Sequence, residues 1–233
     1  MRSKLFAACL ALVAFAAFAV PSLASASNTP LVVENNVAVP TETKVEGVNV
    51  GNTLMVTSLG TIECSTAIMT GKLTKNTTGT VEGDIETAKF GGTGLQQSGA
   101  PEPECTTKSF LGGDTTVTTE TGTNGLPWCL RSTTAMATDE FQLRGGSCTA
   151  AARPIRFARD VTGVGACQYE KATQSVPIKG TFTTSETSST ISMSEQEFPA
   201  VAGNPFGCPS SGKLDTTFQL RTSGGGNSVG ITS

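Results

Sequence analysis

The sequence predicts an all-β protein, an antiparallel β-sandwich or partly closed barrel stapled by disulfides. Three observations carry this. Thr, Val and Ile recur in short runs separated by Gly, Asn, Ser and Pro; several of these runs alternate apolar and polar residues; and an even number of cysteines follows an export signal. Helix signals are scarce by comparison.

Residues 1–26 read as a secretory signal peptide. Arg2 and Lys4 make a positive start, residues 5–20 are apolar without interruption, and Ala24-Ser25-Ala26 offers a cleavage site ahead of Ser27. An apolar run of this length falls short of the roughly 20 residues that span a bilayer. Cys9 lies in the middle of it, which leaves too short an apolar core for lipid attachment. Without Arg2 and Lys4, the 16 basic residues become 14 against 19 acidic ones, a formal charge of −5. Such a surface does not seek nucleic acid or anionic lipid, and no membrane insertion is expected after cleavage. The expected location is extracellular or in the cell envelope, with an envelope or extracellular macromolecule as partner.

Along the remaining chain, residues 27–222 read as one all-β domain. Residues 54–62 are apolar on both faces and predict a central strand covered on both sides. Asn76-Thr77-Thr78-Gly79 separates two strand-like segments; Asn124-Gly125, Gly145-Gly146 and Ser211-Gly212 mark further reversals. Phe141 and Leu143 alternate with Glu140, Gln142 and Arg144, and Ile155 and Phe157 alternate with Arg156 and Ala158. Between these runs, residues 147–153 suit a single helical turn or a short loop equally. The clearest strand sets Leu214, Thr216, Phe218 and Leu220 against Lys213, Asp215, Thr217, Gln219 and Arg221. Residues 223–233 have the composition of a flexible Gly/Ser-rich tail.

Six cysteines remain after the signal: Cys64, Cys105, Cys129, Cys148, Cys167 and Cys208. An even number in an exported chain argues for three disulfides, and with no histidine and no C-x-x-C pair a zinc site has no ready ligands. Cys64 to Cys105 and Cys167 to Cys208 are each 41 positions apart, which leaves open two similar halves. Sequential pairing is the simplest topology among those that six cysteines allow, because each bridge then pins neighbouring strands.

The missing histidine also removes Ser-His-Asp and Cys-His nucleophile systems. No catalytic residue, cofactor or metal is assigned. Candidate carboxylate groups for glycan cleavage are Asp139-Glu140, Glu195 with Glu197, and the Glu82, Asp84, Glu86 series, which in a regular strand shares one solvated face. Trp128, beside Cys129, and Tyr169, near Cys167, read as core rings packed on disulfides rather than as sugar platforms. Arg153, Arg156 and Arg159 recur every third residue, but the strand pattern around Ile155 scatters them over both faces, which argues against an anion-binding patch and predicts a partly inward Arg159 paired with an acid. Asn76-Thr77-Thr78 fits a glycosylation sequon.

Cys64 to Gly71-Lys72-Leu73, Leu126-Pro127-Trp128, Cys167-Gln168-Tyr169 and Cys208-Pro209 with Leu214 resemble the recurring landmarks of a group of uncharacterised secreted bacterial β proteins with no assigned activity. The resemblance covers most of the chain after the signal as spacing, and it implies the sequential disulfide pattern but no function. The expected function is therefore that of a non-enzymatic secreted scaffold for binding, adhesion or an envelope structural role. The alternative is a carboxylate-based hydrolase acting on a glycan.

Overall fold

The computed structural model describes residues 31–33, 37–77, 79–91, 105–108, 113–115, 117–119, 125–133, 139–161, 164–171, 176–183, 185, 187–224 and 228–231. The signal segment and the Ser27 start lie outside them. Among the described residues every regular element is a strand. In chain order these are β1 (Leu31–Val33), β2 (Val37–Ala38), β3 (Lys44–Asn49), β4 (Thr53–Thr57), β5 (Gly60–Cys64) and β6 (Thr66–Thr77). Next come β7 (Thr80–Gly91), β8 (Cys105–Lys108), β9 (Gly113–Thr115), β10 (Val117–Thr119), β11 (Trp128–Thr133) and β12 (Glu140–Gly145). The remainder are β13 (Ile155–Val161), β14 (Gly165–Lys171), β15 (Ile178–Phe182), β16 (Thr190–Pro199), β17 (Ser211–Thr222) and β18 (Gly230–Ile231).

Eight of them close an antiparallel barrel in the order β16-β15-β12-β11-β7-β6-β3-β17, sealed by the pairing of β17 with β16. Closure removes the free edges that a sandwich would leave, so the barrel alternative is the one adopted. β17 is long enough to serve two neighbours on its other side. Phe218 to Thr222 pair with β3 inside the barrel, whereas Gly212 to Asp215 pair with β4, and from there β5, β8 and β9 continue as a wing. A separate sheet β10-β13-β14 lies against the barrel wall through β10 on β7 and β14 on β16.

Period-two alternation places the core. Phe141 and Leu143, Ile178 and Phe182, Ile191 and Met193, and Leu214, Thr216 and Phe218 are all buried, with less buried neighbours between them. Phe157 of β13 meets Phe90, Trp128 and Phe198 edge-on, at centroid distances of 5.7, 5.4 and 5.1 Å. This edge-to-face cluster ties the central strand of the small sheet to three strands of the barrel. Trp128 is thus a core ring as expected, with Phe157 as its packing partner.

Three local readings change. Residues 54–62 form a hairpin, β4 and β5, turning at Ser58-Leu59 where Gly60 has φ 127° and the Thr57 hydroxyl donates to the Gly60 carbonyl at 2.8 Å. Leu59 sits at the tip and is exposed, so its apolar side chain concealed a turn. Ser211-Gly212 opens β17 instead of reversing the chain: a Cβ at Gly212 would lie 2.7 Å from Met55 Cε, so glycine there serves packing. Of residues 223–233, read as a flexible tail, β18 pairs with β1, and Val229 and Ile231 are buried on either side of Gly230. Residues 147–153 form turns and loop without a helix.

The disulfides join Cys64 to Cys105, Cys129 to Cys148 and Cys167 to Cys208, with Cα separations of 4.4, 4.7 and 5.6 Å. The first fastens β5 to β8, the second fastens β11 to the turn after β12, and the third fastens β14 to the loop before β17.

Candidate binding site

Among the described residues, the barrel interior and the loop before β17 could each engage another molecule. The interior holds a cavity of about 90 Å³ bordered by Met69, Leu73, Ile85, Leu130, Phe141 and Ile191. Gly47, Gly71 and Gly83, on three adjacent strands, contribute to its wall. Backbone crowding dictates at least one of them, since a Cβ at Gly71 would come within 2.2 Å of the Asp84 carbonyl oxygen. The Ser132 hydroxyl on the cavity wall already donates to the Glu140 carbonyl at 2.8 Å. A void of this character stays dry and suits only a small apolar guest.

The loop is built differently. Phe206 at its tip is fully exposed, at 104 % of its reference area. Everything beneath it is tied down. Asn204 accepts the N–H of Gln168 at 3.0 Å and donates to the Gln168 carbonyl at 2.7 Å, and the Val201 N–H donates to the same carbonyl at 2.9 Å. The Cys208 N–H donates to the Pro205 carbonyl at 3.2 Å, closing the tip, while the Cys167–Cys208 disulfide anchors its far side. Gly203 and Gly207 bracket the tip with φ of 88° and 101°, conformations that a side chain would strain. Gly207 also lies close to Val164, so the loop rests on the end of the β13–β14 hairpin.

The chain matches no family model, no curated protein and no solved structure.

Several of the acids singled out in the sequence serve structural partners. Glu140 pairs with Lys179 at 3.1 Å. Asp84 accepts the Cys148 N–H at 2.6 Å and so fixes the turn that carries this cysteine back to Cys129. Glu86 is exposed at a bulge that the β6–β7 register skips, Ile85 pairing with Gly71 and Thr87 with Thr70, and Lys72 lies within reach of the charges of both Asp84 and Glu86. Glu195 sits in a bulge of β16 at φ 49°, its N–H bound by Asp215 at 2.7 Å, and Glu197 lies opposite Lys213. Asp84, Cys129 and Cys148 also approach one another, but both sulfurs belong to the disulfide.

The rings fall out the same way. Trp128 and Tyr169 are buried at 1 % and 0 % exposure, so neither offers a platform to a sugar. Phe206 does offer a surface, and the sequence reading passed over it. The signal was present in Gly203-Asn204-Pro205-Phe206-Gly207-Cys208, a turn-rich stretch with one large apolar residue and a cysteine to hold it.

Proposed function

We propose that the protein is a non-enzymatic secreted binding scaffold that presents Phe206 as a rigid aromatic anchor to a macromolecule outside the cell. The observation that carries this is the full exposure of Phe206 on a loop fixed by Asn204, two glycines and a disulfide. Rigid aromatic side chains make binding hot spots because little conformational freedom is lost when they dock.

The chemistry of the tip favours an apolar pocket on a partner protein. Sugar recognition needs polar groups around the ring to meet hydroxyls, yet the Asn204 amide is engaged by Gln168 and the neighbours are Pro205 and Gly207. Lipid docking by one ring would gain only about 1.5–3 kcal/mol, with an acidic chain working against an anionic surface.

The experiment immobilises the oxidised protein and passes envelope and secreted fractions over the wild type and Phe206→Ser. The expected result is a partner retained by the wild type and weakened about 30-fold or more in the variant, as for a hot spot of 2 kcal/mol. Equal retention would overturn the reading, and release of reducing sugar from a glycan fraction would replace it with the carboxylate hydrolase.

A further inference from the structure

Arg159 lies on β13 directly between Val117 of β10 and Cys167 of β14, and its side chain turns into the core with 4 % exposure. Among the described residues the guanidinium makes one hydrogen bond, Nη2 donating to Thr107 Oγ1 at 3.2 Å, while Nε and Nη1 are buried without an acceptor. The acid expected beside it is missing among the described residues; a threonine hydroxyl takes the position. Tyr169 is the residue diagonal to Arg159 on β14, fully buried, and its hydroxyl is likewise without a partner among the described residues.

A guanidinium keeps its proton in proteins, so this is a buried positive charge with unmet donors, an arrangement that destabilises the fold unless something neutralises it. Burial pushes the Arg159 pKa below and the Tyr169 pKa above their ordinary values, and each group partly offsets the shift of the other. A void of about 20 Å³ lies further along this face of the sheet, lined by Val117, the cross-strand partner of Arg159, and by Phe157, the next core-facing residue on β13, but not by Arg159, Tyr169 or Thr107. An anion held by the guanidinium therefore requires the Arg159 side chain to shift toward that void.

We propose that Arg159, Tyr169 and Thr107 form a buried receptor for a small monovalent anion. Nε and Nη1 of the guanidinium and the phenol O–H supply the donors, and the anion supplies the missing charge. Chloride and the carboxylate of a small organic acid share this chemistry. The site is independent of the Phe206 loop and stands or falls without it.

The purified oxidised protein, prepared free of halide, is titrated at constant ionic strength with bromide and, separately, with acetate, while Trp128 emission is followed. Trp128 touches Phe157 and reports on this part of the core. A saturable response is expected, to bromide if the source is a halide and to acetate if it is a carboxylate. Tyr169→Phe should weaken it about tenfold, as loss of one hydrogen bond to a charged group does, while preserving the fold. Arg159→Met should abolish it. Crystals soaked in bromide or acetate should place that ion within hydrogen-bond distance of Arg159. A linear response shared by wild type and Tyr169→Phe, or a water molecule beside Arg159 after both soaks, overturns the proposal.

Discussion

Asn204 grips both backbone polar groups of Gln168, one with its amide oxygen at 3.0 Å and one with its amide nitrogen at 2.7 Å. The pair imitates a strand partner. A loop before β17 thereby acquires the edge of β14 as its foundation, and the Cys167–Cys208 bridge lies next to that clamp in the chain. Asn204→Ala removes both bonds and leaves the Gln168 groups half-buried, so stability should fall by about 1–2 kcal/mol in urea unfolding. Amide exchange of residues 201–208 should rise, while that of β6 and β7 should not. Unchanged exchange in the loop would show that the disulfide alone fixes it.

Thr53 and Thr216 place their hydroxyls 2.7 Å apart inside the core, where β4 meets β17. Valine at one position leaves the other hydroxyl unpaired. Either single change should cost about 1–3 kcal/mol, whereas the double Thr53→Val/Thr216→Val variant should come close to wild type because both polar groups are gone. A double-mutant cycle in urea measures this directly, and additive losses would contradict it.

The same core shows what the sequence could and could not reveal. β17 was legible because Leu214, Thr216 and Phe218 face the interior at every second position, a pattern carried by local residues. Barrel closure was not, since it depends on β16 meeting β17 and β17 meeting β3, pairings that join distant parts of the chain. The β4–β5 hairpin was hidden by Leu59, an apolar residue at a turn tip. The disulfide order was legible because each bridge spans neighbouring elements. Phe206 carried no sequence expectation, because a single apolar residue in a turn-rich stretch has no periodic pattern, and Arg159 departs from the rule that a buried cation has an acid beside it.

Gly180 sits on β15 between β12 and β16 with no room for a side chain. A Cβ there would lie 2.4 Å from Phe141 Cζ and 2.4 Å from the Ser192 carbonyl oxygen. Gly180→Ala should therefore destabilise by about 1–3 kcal/mol, the range for overpacked cores. Adding Phe141→Leu should recover only part of it in thermal melts, because the Ser192 carbonyl remains in the way. Wild-type stability in the single variant would mean that the β15–β16 pairing gives way more easily than this packing allows.

Tyr169 is the single tyrosine of the chain, so phenolate absorbance reports on it alone. Burial raises its pKa above the ordinary 10.0, and the nearby Arg159 guanidinium pulls it part of the way back. Below pH 10.0 both folded and unfolded chains hold the phenol proton and the group has no effect on stability. From there up to the raised folded value the unfolded chain loses the proton while the folded chain keeps it, so this contribution is lost as pH rises. Lys171, whose pKa burial lowers, acts in the opposite sense below its ordinary 10.5, so total stability is a poor readout and the phenolate band is the better one. Phenolate should therefore appear above the ordinary range, in a single step that coincides with the red shift of Trp128 emission on unfolding. Ionisation at the ordinary value with Trp128 emission unchanged would mean that water reaches the Tyr169 hydroxyl, and its burial beside Arg159 would have to be abandoned.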